Sequence, residues 1–206
     1  AELFGGGWTA HACGLSDAPG TADFTYYPHL TMVSGGEANQ AEEMAAVRSV
    51  LLREQAAALK DAAPGEIEGL IRNRLDSRTV RCELRTVSDI IREQHLDTVH
   101  LLKIDVEKLE ERVLAGIQAG DWDKIQQLVI EVHAASGRLE RITALLAEKG
   151  YTVATDQDEL LEGAPIYQVY ARQARLPVEP GPASVTKTGW GGQADFVRRL
   201  REALAA

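Results

Sequence analysis

The chain has 206 residues, 45% of them hydrophobic and 26% charged, so it is long enough for one domain with a proper core, or for one domain and a tail. A net charge of -9 leaves no surplus of Lys and Arg for a broad nucleic-acid-binding face. No apolar run approaches the roughly 20 residues of a membrane span. Cys13 and Cys82 form no close-spaced pair, so we expect no disulfide scaffold or structural zinc site. These features are typical of a cytoplasmic globular protein with reduced thiols.

The first part of the chain alternates between strand-like and helix-like sequence. Residues Thr9 to Leu15 and Thr21 to Tyr27 predict two strands, separated by a Pro-Gly turn. After a loop, apolar residues at helical spacing predict a long helix over Ala41 to Leu59 and a shorter one over Glu66 to Leu75. These two helices form a helical insert, at about residues 37–76, in otherwise strand-rich sequence.

From Thr79 onward, strands and helices follow one another regularly. The predicted elements are a strand over 79–84, a helix over 87–94 with Ser88 as N-cap, a strand over 99–104, a helix over 108–118, a strand over 127–132, a helix over 137–149, and strands over 151–155 and 166–171. Buried strands alternating with helices indicate an α/β sheet covered on both faces. The last two strands have no helix between them, which predicts an antiparallel edge hairpin.

The C-terminal part differs in composition from the rest. Residues 174–192 are rich in Pro, Gly and small polar residues and predict a linker. Residues 193–206 predict a lone amphipathic helix with apolar residues on one face. The main domain is therefore expected over residues 1–173.

Polar residues at strand ends are the first candidates for chemistry, because ligands of open α/β sheets bind beyond the carboxyl ends of the strands. They are Ser16 and Asp17, Asp105, Glu131 and His133. Asp105 either holds a ligand or caps the next helix, and Lys103, two residues earlier, suggests a structural ion pair with a carboxylate.

Glu131 and His133 share one face of a strand. A neutral histidine at the mouth of a cleft can act as a general base, although a purely structural histidine satisfies the same pattern. Asp105, Glu131 and His133 could together bind a divalent metal ion, but nothing in their spacing requires one. His29, in the loop that follows the second strand, is a candidate for contact with a substrate.

Several sequence segments, in the same order along the chain, resemble the FkbM family of S-adenosylmethionine-dependent methyltransferases. They are VHLLKIDVEKLEERVLAGI, DWDKIQQLVIEVH and GRLERITALLAEKGY, together with CGLSD at residues 13–17, TYYPHLTMVSG at residues 25–35 and the closing IYQVYARQ. The resemblance covers roughly residues 1–173. Lys108, where many members have Gly, together with the YYP loop and the helical insert, is similar to the branch attached to polyketide and nonribosomal peptide assembly lines.

The resemblance implies a Rossmann-like methyltransferase sheet, mostly parallel, with an antiparallel C-terminal hairpin and a helical lid insertion. The family's fold begins with a strand, a glycine-rich turn, a helix and a second strand that ends in an acidic residue. These elements are missing from the chain, so we expect an N-terminal part of the domain to be absent, along with two central strands of the sheet. Neighbouring megasynthase domains or a second chain would then supply them.

The same resemblance assigns roles to individual residues. Ser16 and Asp17 would lie near the adenine of S-adenosylmethionine, and Asp105 near its methionine part and the acceptor. His133 would be the general base on the acceptor hydroxyl, and Glu131 would orient His133 or share a metal ion with it. In the loop that matches the family, the candidates for substrate binding are Tyr27, His29 and Ser34.

Two kinds of function follow from these observations. The first is O-methylation of a hydroxyl on a polyketide- or peptide-type intermediate, free or bound to a carrier protein. The second is a truncated, non-catalytic scaffold or interaction module in a megasynthase, suggested by the absent donor-binding turn. A dinucleotide-binding oxidoreductase fits the alternating pattern but needs a glycine-rich turn as well. Neither nucleic acid nor membrane is an expected partner.

Overall fold

A computed structural model describes residues 7, 9–29, 31, 34–36, 69, 76–157 and 165–176. The chain divides into two compact units, residues 1–85 and residues 86–206. The helices predicted over 41–59 and 66–75, the linker and the C-terminal helix all lie essentially outside the described residues, so they stay predictions. Both cysteines are free and partly buried, as expected.

The first unit contains a three-stranded sheet with β3 in the centre. Its strands are β1 (Gly14–Leu15), β2 (Gly20–Tyr26) and β3 (Arg78–Arg85). β3 runs parallel to β1 and antiparallel to β2. The strands predicted for β2 and β3 are confirmed.

The first predicted strand is too long, because only Gly14 and Leu15 pair with β3. An apolar run can be read from sequence, but a strand also needs a partner with free backbone groups. Gly14 lies close to its neighbours: a Cβ atom at this position would be 3.0 Å from the side chain of Leu84 and 3.3 Å from that of Phe24. A side chain at position 14 would therefore have to displace Leu84 and Phe24 by a few tenths of an ångström.

The second unit contains a four-stranded sheet in the order β4, β5, β7, β6. The strands are β4 (Leu102–Ile104), β5 (Gln127–His133), β6 (Tyr151–Asp156) and β7 (Ile166–Gln173). β4 and β5 are parallel, whereas β7 runs antiparallel to both β5 and β6. The antiparallel C-terminal hairpin is confirmed, with β6 as its edge strand and β7 inserted between β5 and β6.

The expectation of one mostly parallel sheet does not match the described residues. Their strands form two sheets, and of the five strand pairings two are parallel and three antiparallel. The alternation of strands and helices predicts a mixed α/β fold correctly. It does not determine the direction in which β2 enters its sheet or the pairing of β7 with β5, because these depend on connections and long-range pairing.

Three α-helices belong to the described part of the second unit: α1 (Val87–Glu93), α2 (Glu110–Ala115) and α3 (Arg138–Glu148). Short 3₁₀ helices lie at Trp122–Lys124 and Ala135–Gly137. α2 is shorter than predicted, because Lys108 has a left-handed backbone with φ 78° and so cannot begin a right-handed helix. β4 is also shorter than predicted, since Val99 makes only an isolated bridge with Ile125.

The N-cap of α1 is Thr86, not Ser88 as the sequence suggests. The Thr86 hydroxyl accepts a hydrogen bond from the backbone N–H of Asp89 at 3.0 Å, and the Asp89 carboxylate accepts one from the N–H of Thr86 at 3.0 Å. This reciprocal pair is a capping box. Ser88 instead has a fully buried side chain whose hydroxyl accepts a hydrogen bond from the N–H of Gln118 at 2.8 Å.

The core of the second unit lies between its sheet and α3. Ile142 and Leu146 face the sheet at helical spacing and are 1% and 0% exposed. Apolar residues of β5 and β7 are equally buried: Leu128, Val129, Ile130, Val132, Val169 and Ala171. Burial of one such large side chain contributes about 1.5–3 kcal/mol, so this layer holds β5 firmly in place. Within the described ranges, no helix has the length and apolar character needed to cross a bilayer.

Candidate functional site

Polar side chains gather at one edge of the second sheet, beyond the carboxyl ends of β4 and β5. Because these strands are parallel, Asp105 directly after β4 and His133 at the end of β5 lie at the same edge. β7 runs in the opposite direction, so its first residue, Ile166, pairs with His133. The structure thus brings Asp105, Glu131 and His133 to a common edge.

The imidazole of His133 lies between two carboxylates. Its Nε2 is 3.3 Å from Oε2 of Glu107, and its Nδ1 is 3.2 Å from Oε1 of Glu110. The side chain of His133 is only 15% exposed. Hydrogen bonds to Glu107 and then to Glu110 raise the pKa of His133 to about 9, against the opposing effect of burial. In this arrangement His133 carries a proton at neutral pH.

Glu110 is a fully buried carboxylate in the first turn of α2. Besides His133, its Oε1 accepts a hydrogen bond from the backbone N–H of Lys108 at 2.9 Å. Its Oε2 lies 3.5 Å from Nη1 of Arg138, and the same Nη1 donates to the carbonyl of His133 at 2.9 Å. Arg138 therefore offsets the buried negative charge and ties α3 to the end of β5.

Glu107 reaches His133 because of an unusual turn after β4. Both Glu107 and Lys108 have left-handed backbones, with φ 46° and 78°. Such conformations are uncommon for residues other than glycine, and they persist only where the surrounding structure holds them. The turn directs the carboxylate of Glu107 toward His133 and leaves Glu110 to begin α2.

Sequence reasoning missed both Glu107 and Glu110, because it considered only residues at strand ends. The signal available was the run of carboxylates in DVEKLEE, directly after a buried strand that ends at the candidate edge. Helical periodicity over 108–118 gives no reason to expect that Glu110 is buried. Its burial depends on tertiary contacts with His133 and Arg138 that the local pattern does not contain.

Glu131 hydrogen-bonds to the side chain of Gln168, whose Nε2 donates to Oε2 of Glu131 at 2.7 Å. Burial and the nearby charge of Asp105 raise the pKa of Glu131. Glu131 was expected to orient His133 or to share a metal ion with it. The hydrogen bonds to the imidazole come from Glu107 and Glu110, and a shared metal ion stays a prediction. Residues two apart on a strand are separated by about 7 Å, which favours contacts with neighbouring strands and turns instead.

Asp105 pairs with Lys103, as the sequence suggests. Nζ of Lys103 lies 2.5 Å from Oδ2 of Asp105, and both side chains are well exposed, so the pair contributes at most about 1 kcal/mol. Asp105 does not cap the next helix, because the N-cap of α2 is Leu109. The potential metal ligands in the described ranges are Glu107, Glu131 and His133, so Glu107 takes the place predicted for Asp105.

The remaining predicted site residues belong to the first unit. Ser16 is buried, and its hydroxyl donates to Oδ1 of the exposed Asp17 at 2.8 Å. The hydroxyl of Ser34 accepts a hydrogen bond from the backbone N–H of Tyr27 at 3.0 Å, and Tyr27 is almost fully buried. His29 is exposed in the turn between them. Their roles in binding donor or acceptor stay predictions.

A separate groove of about 350 Å³ lies beside α2 and α3 in the second unit. Apolar side chains line much of it, among them Leu114, Ile117, Trp122, Ile142 and Leu145. Arg141 borders the groove and forms a bidentate ion pair with Glu111. Its Nε donates to Oε1 at 2.7 Å and its Nη2 donates to Oε2 at 2.8 Å. None of the site residues predicted from sequence lines this groove.

The fold and this edge define a mixed α/β protein with an acid–imidazole cluster beyond the ends of its parallel strands. The methyltransferase FkbM domain matches residues 12–153, which is more than half of the chain. The chain belongs to this family. No solved structure shows a significant match to it.

Relatives of the chain come from several organisms. 31-O-demethyl-FK506 methyltransferase FkbM of Streptomyces tacrolimicus is 39% identical over 163 residues, which are 78% of this chain and 60% of the relative. AMB antimetabolite synthetase AmbE of Pseudomonas aeruginosa is 35% identical over 177 residues, 82% of this chain and 8% of the relative. Methyltransferase sdnD of Sordaria araneosa is 32% identical over 161 residues, 74% of this chain and 57% of the relative. The chain thus spans less than two thirds of each of these relatives.

Proposed function

We propose that the full-length protein transfers a methyl group from S-adenosylmethionine to a hydroxyl of a polyketide- or peptide-type natural-product intermediate. Membership of the FkbM methyltransferase-domain family supports methyl transfer. The name of the relative from Streptomyces tacrolimicus supports an oxygen atom as the acceptor. The main structural support for the proposal is the imidazole of His133. It is partly exposed at the carboxyl edge of the sheet, and each of its two nitrogens contacts a carboxylate.

In this reaction the acceptor oxygen forms a bond to the methyl carbon while the carbon–sulfur bond of the donor breaks. The acceptor hydroxyl must also lose its proton, and His133 is the residue we assign to receive it at Nε2. Glu110 holds the ring from the Nδ1 side, and Glu107 stabilises the imidazolium that forms. With its pKa near 9, His133 must first release a proton before it can act as a base, and once neutral it is a stronger base than an ordinary histidine.

The charge of the edge suits a donor that carries a positive sulfonium. Asp105, Glu107 and Glu131 all contribute carboxylates there, and opposite charges attract more strongly where water is partly excluded. Asp105, which has an exposed carboxylate directly after β4, is proposed to lie near the methionine part of the donor. Ser16 and Asp17, at the end of β1, are proposed to lie near its adenine.

Acceptor binding is assigned to Tyr27, His29 and Ser34. The hydrogen bond between Tyr27 and Ser34 gives this loop a defined anchor, from which the exposed imidazole of His29 extends. The helical insert at about residues 37–76 is proposed as a lid that excludes water from the reacting groups.

A scaffold or interaction module within a megasynthase is the second candidate function. The observation that favours it is the match to AmbE, of which the matched region forms only 8%. A domain of so large a protein is connected to others, so the partners proposed are adjoining megasynthase domains or a second chain.

The test is methyl transfer from labelled S-adenosylmethionine by the full-length protein, with 31-O-demethyl-FK506 and a panel of related alcohols as probe acceptors. His133→Ala should lower turnover by about 10²–10⁴-fold, because that is the usual contribution of a positioned base. Binding of S-adenosylhomocysteine, measured by calorimetry, should change little. His100→Ala, which alters an exposed histidine elsewhere, is the matched control.

Unchanged turnover in His133→Ala would remove His133 as the base. If the full-length protein neither binds S-adenosylhomocysteine nor methylates any probe, the scaffold function is favoured instead.

A further inference from the structure

We propose that Glu107, Glu131 and His133 bind a single divalent transition-metal ion at the carboxyl edge of the second sheet. One ligand atom from each of these side chains lies within 4.8 Å of the other two. Nε2 of His133 and Oε2 of Glu107 are 3.3 Å apart. Zinc and similar ions hold nitrogen and oxygen ligands at about 2.0–2.2 Å, so neighbouring ligands on one ion lie about 3–4 Å from each other. Small side-chain movements would complete this geometry.

The surroundings of His133 provide an independent reason. A histidine that binds a metal through one ring nitrogen usually donates the other N–H to a carboxylate, which fixes the tautomer and the orientation of the ring. Glu110 provides this carboxylate at 3.2 Å from Nδ1, and it is 0% exposed. Its position is in turn held by the N–H of Lys108 and by Arg138. The ring thus presents Nε2 toward Glu107 and the edge.

The balance of charge leads to the same conclusion. Arg138 lies beside Glu110, and Lys103 pairs with Asp105. Glu107 and Glu131 remain close to each other around one imidazole. A divalent cation would neutralise both carboxylates at once, whereas a protonated imidazole contributes one positive charge.

The donor set indicates the kind of ion. Carboxylates suit Mn²⁺ and Mg²⁺, and imidazole suits Zn²⁺ and Fe²⁺, so a mixed set favours Mn²⁺, Fe²⁺ or Zn²⁺ over Ca²⁺. Three protein ligands leave coordination positions open for water or another oxygen ligand.

The ion would also occupy the lone pair of Nε2. If His133 is the base of the proposed function, bound metal should therefore inhibit methyl transfer.

The experiment is a titration of the full-length protein with Mn²⁺, followed by electron paramagnetic resonance, in which the signal of the free ion disappears on binding. We expect one Mn²⁺ per chain with a micromolar dissociation constant, and displacement by Zn²⁺. Glu107→Gln and His133→Ala should each weaken binding by at least about 10-fold. Glu148→Gln removes an exposed carboxylate that pairs with Lys149 at the far end of α3, and it should bind like the wild type.

Lack of stoichiometric Mn²⁺ binding by the wild type would overturn the site, and so would variants of Glu107 and His133 that bind as tightly as the wild type. Circular dichroism melting of each variant separates loss of a ligand from loss of folding, and Glu107→Gln, at a partly exposed turn, is the variant expected to keep its fold. The titration requires neither donor nor acceptor. A protein that binds Mn²⁺ but transfers no methyl group would count against the proposed function alone.

Discussion

The buried carboxylate of Glu110 joins the first turn of α2 to the last residue of β5 through Nδ1 of His133, at 3.2 Å. Glu110 is 0% exposed, and its Oε1 also accepts the N–H of Lys108. A buried carboxylate without partners would lower the stability of the folded state. The contact between Glu110 and His133 therefore fixes both the imidazole and the start of α2. The orientation of His133 is therefore a property of the fold.

The first prediction concerns the pH dependence of methyl transfer. Because Glu107 and Glu110 raise the pKa of His133 to about 9, only roughly one molecule in a hundred has a neutral His133 at pH 7. If the neutral ring receives the acceptor proton, turnover should rise about tenfold per pH unit from pH 7 and level off near pH 9. Single-turnover rates measured between pH 6 and pH 10 would check this.

Glu110→Gln is the informative comparison for that profile. The amide keeps an oxygen that can accept from Nδ1 but removes one negative charge, so the pKa of His133 should fall and the midpoint of the profile should move to lower pH. A rate profile that is flat in the wild type, or identical in the two proteins, contradicts the assignment of His133.

The second prediction concerns Ser88, whose buried hydroxyl links α1 to the segment after α2. It accepts from the N–H of Gln118 at 2.8 Å and hydrogen-bonds the carboxylate of Asp121. Ser88→Ala leaves both groups without this partner and should lower the free energy of unfolding by about 1–3 kcal/mol. Urea denaturation measures the change.

Thr143→Ala is the control, because it removes an exposed hydrogen bond from a hydroxyl within α3. It should change the free energy of unfolding by less than about 0.5 kcal/mol. Equal effects of the two variants would contradict the role of Ser88.

The third prediction concerns acid stability and the capping box of α1. Hydrogen bonds from the backbone and hydroxyl of Thr86 hold the pKa of Asp89 below its usual range. A carboxylate with a lowered folded pKa contributes stability above its unfolded pKa of about 3.9, and this contribution disappears as the pH falls through the folded pKa.

Wild-type stability should accordingly decrease more steeply below about pH 4 than that of Asp89→Asn, which cannot titrate at this position. At neutral pH, Thr86→Ala should cost about 1 kcal/mol, as for other lost N-caps. Thermal melts followed by circular dichroism at several pH values provide the comparison. Parallel pH curves for the wild type and Asp89→Asn would show that the capping box does not contribute.

Much of the second unit could be predicted from local sequence. β5 differs from its predicted bounds by one residue at one end, and α3 by one residue at each end. Their apolar residues recur with the periods that a buried strand and an amphipathic helix impose. Element bounds that depend on long-range pairing or on an unusual backbone conformation were predicted poorly. The strand over 9–15 is reduced to its last two residues. The helix over 108–118 is reduced to 110–115, and the left-handed backbone at Lys108 delays its start.

For the site, hydrophobic patterning alone placed Asp105, Glu131 and His133 at or near strand ends, and the matching segments indicated the FkbM family. The groups that surround the imidazole could not be predicted in this way, because they come together through tertiary contacts. Glu110 and His133 are 23 residues apart in sequence and belong to different elements. Their contact depends on how α2 packs against the end of β5, and that of Glu107 depends on a strained turn. Neither contact produces a periodic pattern in the sequence, because packing and backbone strain arise from the whole fold and not from neighbouring residues.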